Sequence, residues 1–246
     1  MRLLPPAAAL LAAAMLPLGA AACTSGSTTS APPAVTAPAT PSATPPATTT
    51  AANPDAGLLT GAQLEGLLEP SSYFPPGYRR QRAGTRDSGT GYEQPSTSGV
   101  RQPPCRLLGV TSWTSVTGIN GVSFAQDDYI DKTSSTEIAQ EIDVYPGTTA
   151  RAVMRKLGAI SALCPSYTDP QTGSRAEVRE QASPRLGEGG YVITVTDPAW
   201  RGGTTLVAAR VGTAVVTVLS TDGADNGHGS AVRLAQQLVG MLQGMT

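Results

Sequence analysis

From Thr24 to Asn53 the chain runs for thirty residues without one charged or aromatic side chain, built almost wholly from Ala, Pro, Ser and Thr. A segment of that make-up buries too little apolar surface to offset the entropy of ordering its backbone, so it cannot contribute to a core. Whatever folds must come from residues 55–246, about 190 residues, enough for one α+β domain with a proper interior. Pro32, Pro33, Pro38, Pro41, Pro45 and Pro46 bias the segment toward extended polyproline geometry. At ~3.1 Å per residue such a disordered tether could hold a domain up to ~90 Å from its attachment point. Its Ser and Thr among prolines are also candidates for O-glycosylation, the alternative being a plain spacer.

The attachment point is set by what precedes the tether. Met1 and Arg2 lead into an apolar run from Leu3 to Leu18, interrupted by Pro5, Pro6 and Pro17, and then into Gly19-Ala20-Ala21-Ala22-Cys23. A cationic start, an apolar stretch of about 15 to 20 residues and a small-residue exit make a secretory signal rather than a stable transmembrane helix. Small residues directly ahead of a cysteine resemble the bacterial lipobox, in which the sulfur is diacylated and the peptide is cut in front of it. Ala20 stands where leucine is most often found. The resemblance implies a lipoprotein signal peptide over 1–22, lipidation of Cys23, a linker over 23–54 and a protein on the extracytoplasmic face of the cell membrane. Ordinary cleavage near Ala22 would instead leave a soluble secreted protein. Two acyl chains, at ~0.8 kcal/mol per buried methylene, hold a protein at a bilayer without a spanning helix. Every later apolar run is broken within about ten residues by charge, Gly or Pro, too short to span.

Beyond the signal, 16 basic residues face 18 acidic ones, and no basic cluster is large enough to serve a nucleic acid. Fifteen arginines against two lysines look like the coding bias of a high-GC genome. With Cys23 lipidated, Cys105 and Cys164 remain in an oxidising compartment and are expected to pair. A free redox or metal-binding pair is the alternative, but a single histidine leaves little to complete a metal site.

Along the folded part, Thr60-Gly61-Ala62-Gln63 has the form of a capping box, and Leu64, Leu67 and Leu68 follow at helical spacing before Pro70. Residues 71–104 are rich in Gly, Pro, Ser and Thr with scattered aromatics, and form either an ordered or a functional connection. Cys105 to Leu108 suit a turn of helix, and Val122 to Ala125 a strand ending in an acidic tip from Asp127 to Asp131. Ile138, Gln140, Ile142 and Val144 alternate with Glu137, Ala139, Glu141 and Asp143, which predicts a strand in a sheet wet on one side. Val153, Leu157, Ile160 and Cys164 share one face of a helix that follows Gly147-Thr148. Strands are expected over 175–181, 190–196, 204–210 and 214–219, with a hairpin at Gly212, and the last of them is apolar on both faces. A final helix carries Ala231, Leu234, Ala235, Leu238, Met241 and Leu242 as its stripe. The sum is an α+β domain with a mostly antiparallel sheet packed with three helices.

Chemistry is harder to find. His228 has no G-x-S-x-G elbow to serve, so it is expected as an exposed residue at the start of the last helix. Its loop fails as a calcium loop, with Ala224 and Arg233 where oxygen ligands belong. Asp127, Asp128 and Asp131 could hold a cation at a hairpin tip, or simply form a solvated turn. Glu137 and Glu141 fall on the polar face of one strand, where surface solvation accounts for them. Trp113, Tyr191 and Trp200 could line a sugar or lipid pocket, with core packing the stronger default. No phosphate-cradling loop or dinucleotide fingerprint is present, and no catalytic residue, cofactor or metal ligand is assigned.

The order of features, from the capping-box helix through Cys105 and Trp113, the strand Ile138 to Tyr145 and the helix ending at Cys164, to Ala209–Val218 and a last helix, resembles one known family. It is similar to the extracellular sensor domain of mycobacterial PknH-type kinases and to lipoproteins of high-GC Gram-positive bacteria that carry the domain without a kinase, over residues 57–244. That resemblance implies a ligand-binding cleft with no established catalysis. The family usually has a second disulfide toward its C-terminal region, and here Ser220 stands near the position where a partner would be expected. The functional expectation is a membrane-anchored binding or sensing module for an unknown small ligand or envelope protein. An envelope hydrolase, a lipid or small-molecule carrier and a structural spacer are the alternatives.

Overall fold

Eight strands form one sheet in the computed structural model, which describes residues 57–98 and 100–245. The signal segment, Cys23 and the tether through residue 54 lie outside the described residues. The strands are β1 (Arg79–Asp87), β2 (Ser123–Asp131), β3 (Thr136–Val144), β4 (Ser166–Thr168), β5 (Arg175–Ser183), β6 (Gly190–Thr196), β7 (Thr204–Val211) and β8 (Ala214–Ser220). They run in the order β1-β2-β3-β8-β7-β6-β5-β4, and every neighbouring pair is antiparallel. The helices are α1 (Gly61–Glu65), α2 (Thr114–Thr117), α3 (Thr149–Leu157), α4 (Ile160–Leu163) and α5 (His228–Gln243), with a 3-10 turn at Cys105–Leu107.

Five helices rather than three follow from two local events. The helix expected to run on to Cys164 breaks after Leu157, where Gly158 lies so close to Tyr191 of β6 that a Cβ would stand 2.3 Å from its hydroxyl. Thr114–Thr117 adds a single turn closed by Gly118 in the left-handed region. At the other end, the capping box of α1 forms as expected: Gln63 N–H donates to Thr60 Oγ1, and Thr60 N–H donates to Gln63 Oε1 at 2.9 Å. Gly212 makes the β7–β8 turn at φ 57°, a backbone angle that L side chains resist.

The sheet is covered on both faces. On one, α1 and α5 press Leu64, Leu234, Leu238 and Leu242 onto Ile142, Val207 and Val216, and the Phe74 ring stacks on Tyr129 at 3.9 Å. On the other, α3, α4 and the segment 105–119 bring Leu108, Trp113, Val153 and Leu157 against Tyr145, Ile193, Leu206 and Val215. The expectation of a sheet wet on one side therefore fails for β3, whose residues from Ile138 to Val144 are all buried. Gln140, on its α1 side, exchanges two hydrogen bonds with the backbone of Glu69, at 2.9 and 2.8 Å.

The described residues of the stretch 71–104 include β1, which has no apolar alternation to announce it. Arg79, Arg80, Arg82 and Arg86, with a bulge between Gln81 and Arg86, keep this edge strand from templating another chain. A disulfide joins Cys105 to Cys164, fastening the 3-10 turn to the end of α4.

Candidate functional site

Segment 105–119 covers its face of the sheet incompletely. Between it and strands β1 to β3 lies a cleft of about 420 Å³ whose floor carries Glu141 and Asp143 and whose mouth carries Arg86 and Phe124. Ser112, Thr114, Ser115 and Asn120 give it a polar wall. A smaller recess of about 160 Å³ shares Arg86, Val110 and Ser112 and extends to Asp128 and Glu137.

The period of two along a strand puts Glu137, Glu141, Asp143 and Tyr145 on one face of β3 and its continuation. The register sets Glu141 beside Gln126 and Thr217, and Asp143 beside Phe124 and Val215. Glu141 is 2% exposed and Asp143 6%. Thr111 Oγ1 donates to Glu141 Oε2 at 2.5 Å, while Asp143 Oδ2, Tyr145 Oη and Thr217 Oγ1 are buried without a hydrogen-bond partner. Burial pushes the Asp143 carboxyl well above the usual carboxylate range, and the neighbouring Glu141 pushes it further. Burial also raises Glu141, against the opposing effect of the Thr111 hydroxyl. Two carboxyls in this setting cannot both ionise cheaply, so they share a proton, with Asp143 as its carrier. Tyr145 is pushed up by burial and then by Asp143 and Glu141.

The mouth is held by a relay. Arg86 Nε donates to Gln126 Oε1 at 3.0 Å, and Gln126 Nε2 donates to Asp128 Oδ1 at 2.9 Å. The Arg86 guanidinium carbon lies 5.5 Å from the centroid of the Phe124 ring. Burial raises the Asp128 carboxyl, and burial together with Asp128 raises Glu137. Gly84 in the β1 bulge makes the arrangement possible, since a Cβ there would stand 1.7 Å from Asp128 Oδ2. Gly84→Ala is therefore expected to lower stability by about 1–3 kcal/mol through forced displacement of Asp128. Exposed Arg82→Ala, on the same strand, should change it by less than about 0.5 kcal/mol. Urea midpoints of the two variants check this.

Other candidate residues fall elsewhere. Asp127, Asp128 and Asp131 do not gather at a tip, because β2 continues through all three and alternation sends Asp127 and Asp128 to opposite faces. Asp127 is buried against Arg80, 2.6 Å from its Nη2, and Asp131 accepts from Thr133 N–H in the β2–β3 turn. Among the described residues no group of three or more metal-ligating side chains comes together. His228 is exposed at the start of α5, where it borders a separate groove with Arg179 and Thr194. Trp113 is fully buried in the core, against which Tyr191 and Trp200 pack. An apolar recess of about 380 Å³ lies beside Val116, Ile160 and the exposed Leu163, rimmed by Arg101, Arg155 and Lys156.

Sequence reasoning put Glu137 and Glu141 down to surface solvation and did not single out Asp143, which lies on the same charged face. The available signal was the neighbouring strand: β8 is apolar on both sides, so the sheet around it had to be covered twice.

An antiparallel sheet flanked by helices on both faces defines an α+β fold of a kind already seen outside the cell. The extracellular domain of PknH from Mycobacterium tuberculosis is similar, with a TM-score of 0.51 and 13% identity over 76% of this chain and 97% of that one. The likeness is one of fold. No protein-family model matches the chain, and no curated protein matches it.

Proposed function

We propose that this protein is a lipid-anchored extracytoplasmic binding or sensing module, tethered through Cys23 and the linker 23–54, with its ligand in the cleft over Glu141 and Asp143. The observation that carries the proposal is a desolvated carboxyl pair, one oxygen of it without a protein donor, on the floor of an open polar cleft. A buried ionisable pair with incomplete hydrogen bonding weakens a fold unless something else offsets it, and a ligand that completes the bonding does so. The likeness to an extracellular domain supports an extracytoplasmic setting. No helix among the described residues is long and apolar enough to cross a membrane, and the lipobox resemblance supplies the anchor instead.

We assign no catalysis to the cleft. Carboxyls near enough to share a proton leave no room between them for a sugar, which the paired acids of a glycosidase need. The apolar recess beside Leu163 favours a second reading, a carrier of lipid-like molecules, and the same experiment separates the two.

The test is native purification from detergent-solubilised membranes, followed by intact mass and extraction of bound small molecules, for the wild type and for Ser115→Trp, which fills the cleft from an exposed position. The expected result is diacyl mass on Cys23 and a co-purifying molecule that Ser115→Trp loses. An unmodified thiol would remove the anchor, and a molecule retained by Ser115→Trp would move the ligand to another site.

A further inference from the structure

The cleft carries two carboxyl groups on its floor and a guanidinium at its mouth. At its floor, Glu141 accepts from the Thr111 hydroxyl, and among the described residues Asp143 Oδ2 has no hydrogen-bond partner beyond the proton the pair shares. An ammonium group offers three donors together with a positive charge, which suits an acidic floor, whereas a neutral head brings no countercharge and an anionic one is repelled. A bare metal ion is a poorer fit, since no third acidic, histidine or cysteine ligand converges there among the described residues. At the mouth, Arg86 uses Nε on Gln126 and lies over Phe124, which fixes the plane of its guanidinium. Its terminal nitrogens make no ion pair within the described protein, and a fixed guanidinium fork is the usual partner of a carboxylate.

Resting on the proposal that this cleft is the ligand site, we infer that it takes a small zwitterion of the α-amino-acid kind, its ammonium on Glu141 and Asp143 and its carboxylate on Arg86. The polar wall of Ser112, Thr114, Ser115 and Asn120 then faces the ligand's middle, in a volume within the range of small-molecule sites. An ammonium group favours the doubly ionised pair, so binding expels the shared proton. The charged and titratable groups that face the pair are Arg86 from β1, Glu93 from the loop after it, Asp128 from β2 and Tyr145 beyond β3. Of these only Arg86 is cationic, and it acts on both carboxyls.

The experiment is titration calorimetry on the detergent-solubilised full chain. The probes are the common α-amino acids in both hands, with ethylamine and propionate as single-charge controls. At least one amino acid should bind, at least tenfold more tightly than either control, with release of up to one proton, read from two buffers of different ionisation heat. Arg86→Gln, at an exposed position, and the isosteric Asp143→Asn should each weaken it tenfold or more. Binding that both variants leave unchanged, or controls that bind equally well, would overturn the inference. If no amino acid binds while Ser115→Trp still loses a co-purified molecule, the zwitterion falls and the cleft stands. If no molecule depends on the cleft at all, both fall.

Discussion

Replacing both Cys105 and Cys164 by alanine is expected to lower the free energy of unfolding by about 4 kcal/mol, the chain-entropy value for freeing a loop of about 60 residues. The two cysteines are 59 residues apart in sequence and joined in the fold. For a domain of this size the melting temperature should drop by roughly 8–16 °C. Cys164 is fully buried, so lost packing in the face that holds Trp113 and Leu157 adds to that figure. The disulfide fastens the 3-10 turn, and the segment 105–119 that follows is the cover of the carboxylate cleft. Local opening of that cover should consequently precede global unfolding in the double variant, seen as amide exchange at 105–119 that outpaces exchange in β8. A melting temperature within about 2 °C of wild type would show that the bridge does not constrain the unfolded chain.

Stability should also fall as pH rises from acid toward neutrality, because the buried pair keeps a proton that the unfolded chain gives up. Below the unfolded carboxyl pKa, 3.8 for an ordinary Asp, both states are protonated and the contribution is fully present. Above it the unfolded Asp143 ionises, while the folded one, pushed up by burial and by Glu141, stays protonated. Stability is then lost at up to ~1.4 kcal/mol per pH unit for each proton retained, until the folded pKa is passed. Glu141, Asp128 and Glu137 are raised as well and act in the same direction. Asp131, Asp169 and Glu188 are lowered through backbone hydrogen bonds and act in the opposite direction, so the difference between wild type and Asp143→Asn is the informative quantity. Urea midpoints from pH 4 upward should favour the variant increasingly as pH rises. Parallel curves would mean that Asp143 ionises as freely in the fold as outside it.

Much of the sheet was legible before any fold was in hand. The strand over 190–196 coincides with β6, that over 214–219 lies within β8, and the Gly212 hairpin joins β7 to β8 as its position implied. These are local signals: apolar spacing, turn chemistry and a capping hydroxyl act within a few residues of where they are written. Strand β1 was not legible, because an edge strand with Arg79, Arg80, Arg82 and Arg86 buries little and so carries no apolar period. The close approach that keeps position 158 without a side chain was hidden too, since it comes from Tyr191, more than thirty residues away.

The cleft marks the same boundary most sharply. Sequence alone determined that Glu137, Glu141 and Asp143 share one side of a strand, and that a strand apolar on both faces lies in the same chain. Whether that acidic side meets water is not a property of β3. It depends on the segment 105–119, which the disulfide to Cys164 and the packing of Leu108 and Trp113 lay across it. Desolvation, a shared proton and an oxygen without a donor all arise from that long-range covering. Period and composition are written residue by residue, whereas the dielectric around a carboxyl is set by whatever the rest of the chain places over it.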